Sequence, residues 1–225
     1  DKRGAIDFET VETRIIFNEN RKIDAIVPVV RNDAHKLIEE CMLCANVATA
    51  RFYDANQLPI LYRVHEGPNE EKLEGLRKFL GELGLDLGGG AKPTPVHYQH
   101  LLQQIGDRED AHVIQTMLLR SLSQAVYQPE NKGHFGLHYE AYAHFTSPIR
   151  RYPDLLVHRG IRHLIRSSAR AKGVLRIDGA QAIPTKQIFP YDVHAMLVNG
   201  EHCSMTERRA DEATREVNAW PKSEY

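Results

Sequence analysis

The segment from His144 to Arg159 holds the densest group of residues that could bind a charged ligand. It combines three arginines, two aromatic residues, two histidines and one aspartate around a Ser-Pro turn that leads into an apolar helix. Arginine is always charged, and its planar guanidinium group forms paired hydrogen bonds with phosphate oxygens. Arg150 and Arg151 at a helix entrance therefore predict a phosphate-binding site. Ser147 and backbone N–H groups of the turn could also donate hydrogen bonds to an anion there.

The helix that follows this turn is predicted to be amphipathic. It should begin at Pro153, because proline is tolerated in a first helical turn, and end near Ser168. Helical periodicity puts an apolar side opposite a basic side. The apolar side is formed by Val157, Ile161, Leu164 and Ile165, and the basic side by Arg159, Arg162 and Arg166. The basic side favours a phosphate-rich polymer as ligand, although a charge run can also be an ordinary solvated helix face.

Length and composition indicate a globular protein that does not cross a membrane. The chain has 225 residues, of which 42% are apolar and 26% are charged. No apolar window is long enough to span a bilayer, and no apolar segment follows the first residues as it would in a signal peptide. The three cysteines, Cys41, Cys44 and Cys203, cannot all pair with one another. A reducing cytoplasm is therefore the expected location.

The residue pattern predicts a helix-rich α+β fold with a small mixed or antiparallel sheet and no internal domain boundary. Strands are predicted at 14–17, 22–27, 60–64, 124–127 and 138–142, and helices at about 33–54, 70–83, 96–105, 110–122, 153–168 and 205–220. The first helix should carry Leu37, Cys41, Cys44, Ala45 and Ala48 near one face. The spacing of Ser204 and Glu207 is that of a capping box, which puts the start of the last helix at Met205. Residues 170–190 are weakly patterned and are predicted to be flexible.

Three other patterns offer weaker chemistry. Cys41 and Cys44 have the spacing of half a zinc site or of a redox pair, but no second pair follows and the segment is predicted to lie inside a helix, which favours packing. The glycines at 88–90 lack the lysine and hydroxyl residue of a P-loop and indicate a plain loop. No His-Glu-x-x-His motif occurs, and no aspartate cluster is suited to magnesium.

Several segments resemble the RNB family, the processive 3′→5′ exoribonucleases of ribonuclease II and ribonuclease R type, and are most similar to the bacterial ribonuclease R branch. The resemblance extends over nearly the whole chain, through residues 3–8, 31–42, 46, 115–120, 134–137, 142–159 and 207–213. It implies hydrolysis of the terminal phosphodiester of RNA by two metal ions, with release of nucleoside 5′-monophosphates. The implied partner is a single-stranded RNA 3′ end, and the implied cofactor is Mg²⁺.

The same resemblance implies a role for individual residues. Arg150 would contact the scissile phosphate. Glu39 would bind the hydroxyls of the 3′-terminal ribose, with Glu40 as the alternative if the register differs by one. Phe8 would stack on a terminal base. The remaining RNA-binding positions implied by the motif are Ser147, Arg151, His158 and Arg159, while Asp154 could simply orient an arginine.

The chain also departs from the family pattern. The family's magnesium-binding aspartates precede the segment that matches Arg3, so the chain resembles a second half of the catalytic domain, without that cluster, the cold-shock modules or the S1 module. Thr214 stands where ribonuclease II-type members carry a further functional glutamate. We therefore expect no metal ligands in this chain, no activity of the chain alone, and self-association through exposed apolar surface. The alternatives are a non-catalytic RNA-binding scaffold and a regulatory helical domain without salt-dependent RNA affinity.

Overall fold

The computed structural model describes residues 3–6, 13–20, 22–30, 32–167, 179 and 184–224. These contain β1 (Thr13–Phe17), β2 (Ile23–Pro28), α1 (Asp33–Asn56), β3 (Tyr62–Val64), α2 (Glu70–Glu82), α3 (Pro95–Ile105), α4 (Ala111–Ser121), β4 (Val126–Gln128), α5 (Tyr152–Ser167), α6 (Thr185–Ile188) and α7 (Val193–Glu224). The strands form two separate antiparallel pairs, β1–β2 and β3–β4. The expected helix-rich α+β fold is confirmed. Most of 170–190 lies outside the described residues, and its described end contains α6 and the buried Phe189.

Helix α1 begins at Asp33, directly after its cap residue Asn32, but its buried residues are not those of the predicted apolar stripe. The Asn32 side chain accepts a hydrogen bond from the backbone N–H of His35 at 3.0 Å and so caps the helix. Leu37 is 64% exposed, and Cys41 and Cys44 are also exposed. The buried residues come from the second half of the helix and are Asn46, Val47, Thr49, Ala50 and Tyr53. The predicted apolar stripe is therefore largely exposed, because periodicity identifies such a stripe but not the part of the helix that meets the protein body.

Helices α2, α3 and α4 pack around one apolar cluster. Its side chains recur at helical spacing, as the sequence predicts, and include Leu73, Leu76, Leu80, Tyr98, Leu101, Ile105, Ile114 and Leu118. Asn69 caps α2 by accepting the backbone N–H of Lys72 at 2.8 Å. This cluster is distinct from a second apolar cluster that lies beneath the arginine-rich turn.

The second cluster joins α1, β3 and α5 directly under that turn. It contains Ala50, Tyr53, Ile60, Tyr62, Val64, Ala141, Ala143 and Val157. The two helices approach so closely that a Cβ atom at Gly160 would lie 2.1 Å from the hydroxyl oxygen of Tyr53. The same hydroxyl donates a hydrogen bond to the carbonyl of Val157. The helix that follows the turn is therefore fixed against α1.

Helix α7 is longer than predicted and begins at Val193 rather than Met205. Ser204 is not a cap but a buried residue inside this helix, with its hydroxyl donating to the Gly200 carbonyl at 2.8 Å and accepting the Tyr127 N–H at 2.9 Å. The capping-box prediction was wrong because the hydroxyl is used by strand β4. Residues 138–142 do not form the predicted strand, since they lie in turns with an isolated bridge between His134 and Tyr139.

Candidate nucleic-acid interface

The extended segment 142–147, which leads into the turn, is held mainly by side chains from neighbouring elements. The carbonyl of Tyr142 accepts the N–H of Arg63 at 2.9 Å. The N–H of Phe145 donates to Oδ1 of Asn46 at 2.9 Å, and the Phe145 carbonyl lies 2.9 Å from Nε2 of His158. The rings of Phe145 and His158 also stack, with centroids 4.4 Å apart and planes 6° from parallel. Helices α1 and α5 thus clamp the segment from two sides.

Asp154 on α5 closes the turn itself. This fully buried carboxylate accepts the Ser147 N–H at 2.8 Å and the Arg151 guanidinium at 2.9 Å, both at Oδ1. The Ser147 carbonyl in turn accepts the N–H groups of Arg150 at 3.3 Å and Arg151 at 3.0 Å. The expectation that backbone N–H groups of the turn are available to an anion is therefore wrong for these three residues, because each already has an acceptor.

The two adjacent arginines have different environments. The Arg151 side chain is 19% exposed and its guanidinium pairs with Asp154. Arg150 is exposed, and among the residues that the structure describes its guanidinium forms no hydrogen bond or ion pair. Ile149 beside it is fully exposed. The turn thus directs one arginine inward and presents the other to solvent.

The predicted basic side of α5 is only partly solvated. Arg159 donates from Nε to the Ile188 carbonyl at 3.0 Å and from Nη1 to the Tyr191 hydroxyl at 2.7 Å, and it lies 5.2 Å from the centre of the Tyr191 ring. Arg162 is exposed as predicted. On the predicted apolar side, Ile165 is 46% exposed. The assignment of sides was imperfect because α6 and the residues after it cover the part of α5 that carries Arg159.

A partly buried polar network lies behind the segment and was not predicted. Nη1 of Arg63 lies 2.6 Å from Oε2 of Glu207, and the Arg63 guanidinium lies 4.6 Å from the centre of the Tyr127 ring. The Tyr127 hydroxyl is 2.9 Å from Nδ1 of His144. Burial, and to a smaller extent the positive charges of Arg151 and Arg63, lower the pKa of His144 to about 2. His144 is therefore neutral near pH 7. The charge of Arg63 within a short strand was the one local sign of this network.

The first half of α1 carries the predicted ribose-binding position. Glu39 is exposed on this helix. Glu40 forms an ion pair with Arg3 at 3.5 Å, and Arg3 also lies 4.5 Å from the centre of the Tyr139 ring and hydrogen-bonds to its hydroxyl. Arg3 therefore links α1 to the segment around residue 139.

Phe8 and Thr214 are the two further candidate positions. Phe8 lies outside the described residues. Thr214 is exposed on α7, and its hydroxyl donates to the Ala210 carbonyl at 2.8 Å. Across the described ranges, no group of three or more His, Cys, Asp or Glu residues could hold a metal ion. None of the helices in those ranges is long and apolar enough to cross a membrane.

The chain is a helix-rich α+β protein in which two helices hold a turn that exposes an arginine. Comparison with known proteins identifies the family to which it belongs. Residues 1–167 match the RNB domain family, and the chain belongs to this family. Its relatives include ribonuclease R from Vibrio cholerae, with 59% identity over the whole chain and 27% of that protein, and from Escherichia coli, with 50% identity over the same shares. The chain thus spans about a quarter of the length of these relatives.

Solved structures share the fold. Mycoplasma genitalium RNase R in complex with ribose-methylated single-stranded RNA superposes with a TM-score of 0.81 at 27% identity, over 98% of this chain and 33% of that one. The yeast pseudonuclease Ssd1 superposes with a TM-score of 0.57 at 23% identity, over 77% of this chain and 20% of that one. The fold therefore occurs both in a ribonuclease and in a protein described as a pseudonuclease.

Proposed function

We propose that this chain is the RNA-contacting second half of the catalytic domain of a processive 3′→5′ exoribonuclease that hydrolyses RNA to nucleoside 5′-monophosphates. The observation that carries the proposal is the contrast between the two adjacent arginines. Arg151 is bound by the buried Asp154, whereas the guanidinium of Arg150 is exposed and has no hydrogen-bonded or ionic partner in the described part of the chain. An exposed guanidinium group on a turn whose backbone is held in this way can bind a phosphate and stabilise charge that develops on it.

The contacts of the other candidates support different roles for them. Glu39 is proposed to bind the 3′-terminal ribose, with Glu40, whose carboxylate lies 3.5 Å from the guanidinium of Arg3, as the alternative. Phe8 is proposed to stack on a terminal base, and the Ser147 hydroxyl to approach the RNA backbone. Arg151, His158 and Arg159 bind protein groups. Arg151 and His158 are proposed to position the turn, and Arg159 to hold α6 against α5.

The described residues do not fit a magnesium site, since they lack a suitable cluster of carboxylates. We therefore propose that Mg²⁺ is held by groups outside these residues. The purified 225-residue chain is accordingly expected to release no mononucleotides from 3′-labelled RNA in the presence of Mg²⁺. Magnesium-dependent release that survives further purification would contradict this expectation.

The role of Arg150 can be tested in a chimeric enzyme in which this chain replaces the matching segment of the Vibrio cholerae ribonuclease R. Arg150→Ala should lower single-turnover cleavage by roughly a hundredfold or more while changing RNA affinity much less, because the charge it stabilises develops in the transition state. Arg150→Lys should not restore the rate fully, because an ammonium group cannot form the paired hydrogen bonds.

Arg108→Ala is the control, since Arg108 is an exposed arginine that lies outside α5 and outside the arginine-rich segment. It should leave the cleavage rate nearly unchanged. Equal losses of rate and affinity in Arg150→Ala would instead show that Arg150 only anchors the RNA.

A non-catalytic RNA-binding scaffold is the second candidate, and the shared fold of the pseudonuclease Ssd1 favours it. The two candidates differ in the residues that precede this segment in its full-length protein. An aspartate cluster there supports the enzyme, and its replacement by other residues supports the scaffold.

We propose a cytoplasmic location, in keeping with three cysteines that form no disulfide. We also propose that the isolated chain associates with itself, because the exposed apolar side chains of Val29, Val30, Leu37 and Ile38 lie close together in sequence. Sedimentation that is independent of concentration would contradict self-association.

A further inference from the structure

We infer that Asn46 is a positioning residue that holds Glu39 in register with the turn that presents Arg150. The inference rests on the proposed function, because it takes these two side chains as the ones that contact the ribose and the phosphate. Asn46 itself is buried, being only 3% exposed, and would not touch the RNA.

Both ends of the Asn46 side chain are used in contacts to the segment before the turn. Oδ1 accepts the N–H of Phe145 at 2.9 Å, and Nδ2 donates to the hydroxyl of Tyr142 at 2.9 Å. Because a backbone N–H can only donate, the amide has one satisfactory orientation. Two hydrogen bonds from one planar group fix both the distance and the rotation of α1 relative to this segment.

The position of Asn46 on α1 relates these contacts to Glu39. Glu39, Asn46 and Tyr53 are spaced seven residues apart and therefore lie on nearly the same side of the helix. Tyr53 hydrogen-bonds to the Val157 carbonyl on α5, and Asn46 hydrogen-bonds to Phe145. Glu39 lies about two turns, or about 10 Å, further toward the start of α1 on that side.

Side chains in the first half of α1, from Asp33 to Cys41, are exposed. Leu37 and Glu39 are exposed, and the ion pair between Arg3 and Glu40 has a partner that is 57% exposed. Such surface pairs restrain a helix weakly. The buried amide of Asn46 is therefore the strong connection between the half-helix that carries Glu39 and the segment that leads to Arg150.

The chimeric enzyme provides the test through its discrimination between RNA 3′ ends. The readout is the ratio of single-turnover cleavage rates for oligonucleotides that end in a ribose and in a 2′-deoxyribose. Asn46→Ala should lower this ratio by about tenfold, and Glu39→Gln should then lower it little further, because a displaced Glu39 no longer contributes. In the unaltered background, Glu39→Gln should lower the ratio on its own.

Thr49→Val is the matched control. Thr49 is buried one turn further along α1, and its hydroxyl donates to the Ala45 carbonyl of the same helix at 2.8 Å. This variant should keep the ratio and the full effect of Glu39→Gln. If Asn46→Ala does not fold, Tyr142→Phe removes one of the two hydrogen bonds while keeping the ring, and it should show the same non-additivity on a smaller scale.

Two outcomes would overturn the inference, and they can be told apart. If Asn46→Ala lowers stability but leaves the ratio and the Glu39→Gln effect unchanged, Asn46 is merely structural. If Glu39→Gln has no effect on the ratio even in the unaltered background, the ribose-binding role of Glu39 fails, and the coupling to Asn46 fails with it. The second outcome is visible without any change at Asn46.

Discussion

At the scale of residues, Arg150 and Arg151 share one chemistry and differ in the partner that the fold gives them. The partner of Arg151 is Asp154, a carboxylate with no exposed surface. A buried carboxylate is costly unless it is paired and hydrogen-bonded, and here it accepts from both a guanidinium group and the backbone N–H of Ser147. Asp154 therefore ties the fold of α5 to the shape of the turn. No local pattern in the sequence could have told which of two adjacent arginines would turn inward.

Asp154→Ala is expected to lower the free energy of unfolding by about 3 kcal/mol, because it leaves the half-buried Arg151 and the Ser147 N–H without their acceptor. Urea denaturation of the 225-residue chain measures this change. Asp110→Ala is the control, since Asp110 pairs with Arg108 at the surface at 2.8 Å and its loss should change stability little. A similar loss in both variants would show that burial of Asp154 is not the cause.

At the scale of elements, the helices that could be predicted are those whose signals are local. The apolar spacing and the caps of α2 and α3 lie within their own sequences, and the structure confirms both helices. The buried face of α1 and the start of α7 depend on what packs against them, so periodicity could not supply either. The contact between Tyr127 and Ser204 is of the same kind, because it joins residues that are distant in sequence. The predicted turn was located from sequence, but the clamp around it was not.

Because α1 and α5 approach closely at Gly160, replacing this glycine by alanine should change stability in the opposite direction from the same replacement at Gly75. Gly160→Ala should destabilise the chain by about 2 kcal/mol, because the new Cβ would meet the Tyr53 hydroxyl oxygen at 2.1 Å and force the helices apart. Gly75→Ala on α2 has nothing within 4 Å of the new Cβ and should stabilise by about 0.5–1 kcal/mol through helix propensity. Thermal unfolding of both variants measures the difference. Stabilisation by Gly160→Ala would show that α1 and α5 are less tightly packed than described.

At the scale of the whole molecule, the region behind the candidate site contains two histidines, His134 and His144, that are neutral near pH 7. Burial is the main cause that lowers the pKa of His144 to about 2 and that of His134 to about 3. Both rings lie near Tyr142, with centroids 5.7 Å and 5.3 Å from it. The two histidines therefore link the stability of the region behind the turn to pH.

The sign of this linkage follows from which state takes up protons. In the folded chain both histidines stay neutral down to their lowered pKa values, whereas in the unfolded chain they are protonated below about pH 6.5. Acidification therefore favours the unfolded state, and stability that is fully present above about pH 6.5 is lost as the pH falls below it. Each buried histidine contributes a slope of about 1.4 kcal/mol per pH unit in that window.

Urea denaturation between pH 7.5 and 5.5 is expected to show this loss mainly below about pH 6.5. His144→Gln should reduce the slope by about 1.4 kcal/mol per pH unit, because the variant no longer has this proton acceptor in the unfolded state. His100→Gln, at an exposed position on α3, is the control and should leave the slope unchanged. An unchanged slope in His144→Gln would mean that His144 is accessible to protons in the folded chain, and that the region behind the turn opens to water more readily than its packing indicates.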